Sequence, residues 1–193
     1  MASQQVSAIV TVLDAPFGDQ IRAIWQVLQE DCLVQNTLAA HPIPHFSWHG
    51  ARGYDEQALD IMLEKIASQT RPFMVRTTGI GLFTGSNLVI FISLVKNHSL
   101  AALHARIWER TRELGTQLNN HYRPENWMPH ITLALDPLDE PSIACVLRSL
   151  AFKPFSWEIP VDHFAIIHAG QAGSLASGLI MKLRERKRFR FSG

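Results

Sequence analysis

The chain has 193 residues, of which 47% are hydrophobic and 18% charged, and its formal net charge is +1 at pH 7. This composition is that of a globular protein with a sizeable core, and it excludes a global basic field for binding duplex nucleic acid. No apolar run is long enough to span a membrane, and residues 1–5 lack the features of a signal peptide. We therefore expect a soluble cytoplasmic protein with no membrane partner.

The first part of the chain predicts a strand, a helix and a loop. Residues 6–13 are rich in β-branched side chains and predict a central strand. A core helix follows, because one helical face carries Phe17, Ile21, Ile24, Trp25 and Leu28. The loop from Asp31 to Pro44 contains His41, and His45 and His49 come after it. Two prolines exclude the helix that i,i+4 metal ligands need, so we expect no metal site and place His41 and His49 in the loop or at a cleft rim.

The middle of the chain predicts a helix, a hairpin and a further helix. The first apolar stripe consists of Leu59, Met62, Leu63 and Ile66. Residues 73–84 and 87–95 are typical of two strands joined by a turn at Gly85 and Ser86. Gly79 and Gly81 lie within the first strand and precede no helix, which indicates a bulge or a close backbone approach rather than a phosphate loop. A long helix with a solvated charged face is predicted from Ser99 to about Asn119.

The last part begins with a polar loop, in which Arg123 and Trp127 could reach a cleft, and continues into a strand at His130. A helix opens at Asp139, and strands follow over 155–159 and 163–168. Gly170–Gly178 predicts either a mobile hairpin loop at the cleft mouth or a plain connection. In an extended final strand, one face would carry Lys182, Arg184, Arg186, Arg188 and Arg190. That face could hold an RNA backbone, but we favour an edge strand whose charges prevent aggregation.

The two cysteines, Cys32 and Cys145, lie in separate helical patterns. Their spacing matches no zinc motif. We expect two buried thiols in a reducing compartment.

Two short strands each carry a histidine and a hydroxyl two positions apart. The first is Pro44–Trp48 with His45 and Ser47, and the second is Pro129–Leu135 with His130 and Thr132. Residues i and i+2 of a strand share a face, so each imidazole lies beside its hydroxyl. An imidazole that moves a proton near neutral pH, next to a hydrogen-bond donor, suits attack at phosphorus or at a carbonyl.

The surroundings of the two strands repeat as well. Asp55-Glu56 and Asp139-Glu140 each open a helical pattern, and Arg71–Phe73 and Lys153–Phe155 each follow one. A single buried strand histidine is usually a core residue, but this repeat indicates a duplicated unit. In a pseudo-symmetric pair of lobes, equivalent strands can face each other across a cleft.

The sequences His45–Trp48 and His130–Leu133 resemble the paired HxTx motifs of the 2H phosphoesterase superfamily. The chain looks like its 2′-5′ RNA ligase/cyclic phosphodiesterase (LigT-like) branch, and Tyr122–Pro129 resembles the approach to the second motif there. The first motif departs from the pattern, with Ser47 for the commoner threonine and a bulky Trp48 for a small aliphatic residue. These departures bear on substrate preference more than on chemistry, because serine supplies the same hydroxyl donor.

The resemblance implies an α+β fold that is bilobal and duplicated about a pseudo-two-fold axis. Two antiparallel sheets would flank a central cleft with helices on the outside, and residues 1–193 would form one domain of two intertwined lobes. It also implies a monomer without cofactor or metal that hydrolyses 2′,3′-cyclic phosphates of RNA ends or nucleotides, with 2′-5′ ligation as the reverse reaction. His45 would be the proton donor, His130 the acceptor, and Ser47 and Thr132 the phosphate-binding groups.

Two alternatives stay open at this point. The same site could act on a cyclic ADP-ribose phosphate or on 2′-5′-linked oligonucleotides, since Phe46 and Trp48 leave the substrate undetermined. The chain could also be a non-catalytic RNA-end binding module that uses its basic final strand. Two intact histidines argue against the module, because binding alone needs no proton donor and acceptor.

Overall fold

The computed structural model describes residues 6–34, 43–85, 88–135, 137–175 and 178–193, with only the backbone described for residue 6 and residues 169–182. These residues form four α-helices, which span Phe17–Cys32 (α1), Glu56–Ala67 (α2), His98–Thr111 (α3) and Glu140–Leu150 (α4). Their strands span Val6–Val12 (β1), His45–Tyr54 (β2), Phe73–Phe83 (β3), Val89–Leu94 (β4), Gly115–Leu118 (β5), His130–Leu135 (β6), Glu158–Val161 (β7), His163–Leu175 (β8) and Gly178–Arg190 (β9). None of the described helices is both long and apolar enough to cross a membrane.

The order of the strands is symmetric about the centre of an antiparallel sheet. It is β7-β3-β4-β6-β2-β1-β8-β9, with β5 beside β2. β3, which follows α2, pairs with β4, and β8, which follows α4 and β7, pairs with β1. Each half of the chain therefore extends the sheet of the other half. The predicted α+β class with a duplicated arrangement is confirmed. The two expected sheets are joined through the pair Phe46–Ile131, which makes the motif strands β2 and β6 direct neighbours.

Equivalent aspartates begin the helices that follow the two motif strands. The Asp55 side chain accepts a hydrogen bond from the backbone N–H of Ala58 at 3.0 Å, and Asp139 accepts one from Ser142 at 2.9 Å. Each carboxylate satisfies a donor that the first helical turn leaves unpaired. The repeat seen in the sequence is therefore a repeat of helix starts.

The motif strands turn their large apolar residues into the core. Phe46, Trp48, Ile131 and Leu133 are 0% exposed and belong to one cluster that also contains the inner residues of all four helices. The intervening histidines and hydroxyls must then lie on the opposite face of the sheet, as the strand alternation predicts. Trp48 is buried in the core and does not line that face.

The third helix is shorter than predicted. It ends at Thr111, and Gly115–Leu118 forms the strand β5 against β2. A Cβ at Gly115, the first residue of β5, would lie 2.5 Å from the Leu118 side chain. Leu114 and Leu118, which continue the apolar pattern, therefore lie outside the helix.

Both hairpins occupy their predicted places, with one difference in length. β3 and β4 pair up to Phe83 and Val89, and Ser86 of the predicted turn lies outside the described residues. Most of Gly170–Gly178, which we expected to be a loop, belongs to β8 and β9, whose backbones pair as far as Leu175 and Gly178. Small residues do not prevent the antiparallel ladder from continuing toward the hairpin tip.

The expectation of two separate thiols is wrong. Cys32 and Cys145 form a disulfide that joins the end of α1 to α4, with Cα atoms 5.5 Å apart. Their separation of 113 residues hid the pairing in the sequence. The disulfide ties together two helices that pack on the same side of the sheet.

Candidate active site

The four predicted side chains lie together on one face of β2 and β6. The strands pair antiparallel at Phe46 and Ile131, and extending this register by one residue on each side sets His45 opposite Thr132 and Ser47 opposite His130. Directly opposed residues have Cβ atoms about 5 Å apart, and the diagonal between the two histidines is about 7–8 Å. All four residues keep solvent-accessible surface. Each hydroxyl thus faces the imidazole of the other motif, and a small anion can contact both sets.

Both histidines are held by the same hydrogen bond. Nδ1 of His45 lies 2.6 Å from the carbonyl oxygen of Ile43, and Nδ1 of His130 lies 2.7 Å from that of Met128. A carbonyl only accepts, so each Nδ1 carries a proton and donates it, which leaves Nε2 of the neutral ring as a free base. A proline stands between acceptor and histidine in both motifs and favours an extended conformation for the residue before it.

The environment disfavours the charged form of both imidazoles. Burial lowers the pKa of His45, the hydrogen bond to Ile43 opposes this effect, and the neighbouring His130 adds to the lowering. Burial likewise lowers the pKa of His130 against the opposing bond to Met128. Both rings are therefore mainly neutral at pH 7 in the free protein.

Apolar side chains flank the histidines and account for this burial. Ring centroids of Phe83 and Phe91 lie 5.1 Å and 5.0 Å from that of His130. A Cβ at Gly81 would lie 2.5 Å from the Phe91 ring, so the predicted close approach at this glycine is confirmed. On the other side, Val12 lies opposite His45 and belongs to a small buried cluster with Val10, Ala165 and Ile167.

Two tryptophans hold the backbones of the motif strands. The indole N–H of Trp127 donates to the carbonyl of Ser47 at 3.0 Å, and that of Trp25 donates to the carbonyl of Thr132 at 3.1 Å. Trp127 is only 3% exposed, and its ring stacks on that of His104 with centroids 3.7 Å apart. Trp127 therefore reaches the site through the Ser47 backbone and not as a cleft-lining side chain.

Tyr122 packs against the first motif strand, a contact that the sequence reasoning did not single out. It ends the short 3-10 helix Asn120–Tyr122, and its ring lies over Gly50 of β2, where a Cβ would come within 2.9 Å of Cε2. Burial raises its pKa, so the phenol keeps its proton at neutral pH. Only its position in a segment resembling the approach to the second motif pointed toward it.

The other histidine and arginine candidates lie elsewhere. His49 is 0% exposed in the core, where burial lowers its pKa to about 4, and His41 lies outside the described residues. Arg123 donates to the Asn120 side chain at 3.1 Å and lies 4.0 Å from Glu125. These two contacts hold its guanidinium group away from the motifs. Within the described ranges, no three His, Cys, Asp or Glu side chains are grouped closely enough to hold a metal ion.

The basic residues of β9 do not share one face. A bulge occurs where Ile166 pairs with Lys187 but Ile167 pairs with Glu185, and it leaves Arg186 unpaired in the ladder. Arg186 and Lys187 both contact Asp60 of α2, whereas Arg188 and Arg190 contact Asp14. The side chain of Lys182 is not described. β9 is an edge strand, as we favoured. Arg186, Lys187, Arg188 and Arg190 form ion pairs within the protein, and Arg184 is exposed.

Solved structures with a similar fold define the class of the architecture. A crystal structure described as a phosphoesterase has a TM-score of 0.66 at 17% identity and covers 98% of this chain and 99% of its own. Escherichia coli LigT in its apo form gives 0.61 at 19% identity, with 98% of both chains covered. LigT complexed with 3′-AMP gives 0.61 at 15% identity over 98% and 99%. The fold is that of LigT-like proteins.

Sequence comparison gives the family. The profile of the 2′-5′ RNA ligase superfamily matches residues 15–173. The chain belongs to this superfamily. Proteins of Bacillus mycoides (strain KBAB4) and Bacillus cereus (strain B4264), both provisionally named phosphoesterases, are 29% and 30% identical over 122 residues. The match spans 62% of this chain and 66% of each relative.

Proposed function

We propose that this protein is a phosphodiesterase that hydrolyses 2′,3′-cyclic phosphates of nucleotides or RNA ends without a metal ion. One observation carries the proposal, namely the two histidine–hydroxyl pairs that oppose each other across β2 and β6 with both Nε2 atoms free. Membership of the 2′-5′ RNA ligase superfamily supports it. The 3′-AMP complex of LigT makes a nucleoside phosphate the first ligand to test.

Each of the four groups has a role in an in-line displacement. Nε2 of neutral His130 takes a proton from water, and the water oxygen forms a bond to phosphorus. As one bond between phosphorus and a ribose oxygen breaks, Nε2–H of protonated His45 gives its proton to that oxygen. The hydroxyls of Ser47 and Thr132 donate to the non-bridging oxygens, which gain negative charge. Exchange of the two histidine roles gives the reverse reaction, 2′-5′ ligation.

Hydrolysis is the favoured direction because water is abundant and RNA ends are dilute. The ion-paired cations of β9 give no support to an RNA-binding module that relies on that strand. Phe46 and Trp48 face the core, so substrate choice depends on other residues of the site face. Phe83 and Phe91 place aromatic rings beside His130, at centroid distances of 5.1 Å and 5.0 Å.

The direct test is incubation with 2′,3′-cyclic AMP in the presence of EDTA. We expect conversion to a nucleoside monophosphate at a rate that added Mg²⁺ does not change, because the mechanism uses only imidazoles and hydroxyls. Phosphorus NMR of the product identifies whether the 2′- or the 3′-phosphate remains. A short RNA with a cyclic phosphate end, assayed in parallel, separates a nucleotide enzyme from an RNA-end enzyme. If neither substrate is converted, the proposed function is rejected.

The pH dependence of kcat/KM provides a second test. The productive form has His130 neutral and His45 protonated, so the rate falls on the acid side as His130 gains a proton and on the alkaline side as His45 loses one. The protein lowers both pKa values from 6.5, which shifts both limbs toward acid. We expect the maximum of kcat/KM below pH 6.5 and a decline through neutrality. A maximum above pH 7 would contradict the proposed ionisation states.

A further inference from the structure

We propose that Ser93 is a third hydroxyl of the active site and binds the attacking water beside His130. This inference rests on the proposed function and deepens it, because it assigns the place of the water. Ser93 belongs to β4, outside both histidine–hydroxyl motifs, and it pairs directly with His130 of β6. Paired residues of an antiparallel ladder project to the same face, so the Ser93 side chain lies beside the imidazole on the site face.

Two further observations place the Ser93 hydroxyl. Both neighbours of Ser93 along β4 belong to the core cluster, so its own side chain projects from the opposite face of the sheet. A Cβ added at Gly81 would lie 3.3 Å from the Ser93 Oγ and 2.5 Å from the Phe91 ring. The hydroxyl therefore lies close to the ring that flanks His130.

The Ser93 hydroxyl is open to a ligand. The side chain is half-buried, and among the residues that the structure describes its hydroxyl has no hydrogen-bond partner. On its other flank Ser93 pairs with Gly79, which has no side chain to cover it, and a Cβ at Gly79 would meet no described heavy atom within 4 Å. Water can therefore reach the hydroxyl from the outer side of His130.

The equivalent position beside the other histidine carries no hydroxyl. β1 borders β2 as β4 borders β6, and there His45 pairs with Val12, which is 8% exposed and belongs to a buried apolar cluster. His130 thus has hydroxyls on both neighbouring strands, whereas His45 has Thr132 on one side and a valine on the other. An ordered water needs polar partners. The asymmetry therefore favours His130 as the side of the attacking water and His45 as the proton donor.

A water between Ser93 and His130 has a partner for each of its hydrogens. One hydrogen passes as a proton to Nε2 of neutral His130 while the water oxygen forms its bond to phosphorus. The other hydrogen stays on that oxygen and is donated to the Ser93 Oγ, which leaves a lone pair directed at phosphorus. Hydrogen bonds of about 2.8 Å reach both partners, because paired Cβ atoms are about 5 Å apart. The incoming oxygen becomes a terminal phosphate oxygen of the product, and the cyclic substrate lacks it.

The activity test compares Ser93→Val with Ser93→Thr, two variants of similar volume that differ in the hydroxyl. An ordinary hydrogen bond corresponds to about 3–10-fold in rate, so Ser93→Val should lower kcat for 2′,3′-cyclic AMP by that factor. Ser93→Thr restores the hydroxyl and should recover most of this loss. KM should change by less than about twofold in both, because the cyclic substrate lacks the incoming oxygen.

Equal losses of kcat in the two variants would mean that only the volume at position 93 matters, and they would overturn the inference. The control is Ser156→Ala, which removes an exposed serine hydroxyl shortly before β7 and should keep full activity.

A binding measurement judges Ser93 without turnover. 2′-AMP and 3′-AMP carry the terminal phosphate oxygens that ring opening creates, and calorimetric titration gives their Kd. Ser93→Val should raise the Kd of at least one of them by about 3–10-fold, and Ser93→Thr should restore it. An unchanged Kd in Ser93→Val, or no binding to the wild type, would overturn the inference. If the wild type binds these nucleotides but does not hydrolyse cyclic phosphates, the proposed function fails while the Kd values still decide whether Ser93 contacts the phosphate.

Discussion

Replacement of His130 by alanine should lower kcat for 2′,3′-cyclic AMP by about 10²–10⁴-fold, and His45→Ala should do the same, since a positioned acid or base contributes a factor of that size. The double variant should be only slightly worse than either single variant, because the two groups act in one transition state. Steady-state kinetics in EDTA measure all three. His98→Ala, which removes an exposed histidine at the start of α3, is the control and should keep full activity.

The leaving group decides which histidine is the acid. A ribose oxygen needs a proton as it departs, whereas 4-nitrophenolate departs without one. On bis(4-nitrophenyl) phosphate, His45→Ala should therefore lose much less activity than on the cyclic nucleotide, and His130→Ala should lose as much. The opposite pattern would exchange the two assignments. If both variants keep their activity on both substrates, the active site does not lie on this face of the sheet.

Much of this site could be predicted because its determinants are local. Strand alternation puts His45 with Ser47 and His130 with Thr132 whatever the rest of the chain does. The proline before each histidine could be seen in the sequence, and it indicated a shared support for the two Nδ1 atoms. The accepting carbonyl groups could not be identified, because a backbone acceptor can belong to any residue type. The same alternation placed Trp48 behind the site, in the core.

The features that could not be predicted depend on contacts between distant elements. The disulfide forms because α1 and α4 meet on the sheet, and no spacing rule encodes that meeting. The bulge at Arg186 turns its side chain toward Asp60, and strict alternation cannot anticipate an extra residue. Tyr122 lies over Gly50 because of the turn that follows β5, a strand too short to recognise without its partner β2.

Replacement of Trp48 should affect stability strongly and selectivity not at all. Its ring is 0% exposed, stacks on Trp127 at 5.7 Å and meets Phe164 edge-on at 5.7 Å, while its N–H donates to Thr11 at 2.9 Å. Truncation of such a residue leaves a cavity, and Trp48→Ala should lower the free energy of unfolding by about 3–5 kcal/mol. Urea denaturation followed by circular dichroism measures this loss. Phe152→Ala, at a residue 95% exposed, should change stability by less than about 0.5 kcal/mol.

Trp48→Phe separates packing from recognition. It keeps most of the ring and loses the bond to Thr11, so it should fold and permit kinetics at room temperature. If Trp48 only packs the core, the ratio of kcat/KM for 2′,3′-cyclic AMP to that for a cyclic-ended RNA stays at the wild-type value. A change in that ratio of more than about threefold, or roughly 0.6 kcal/mol at 25 °C, would mean that the core face of β2 does influence the substrate. Specificity would then have to be sought on both faces of the strand, and not only among the side chains that share a face with His45.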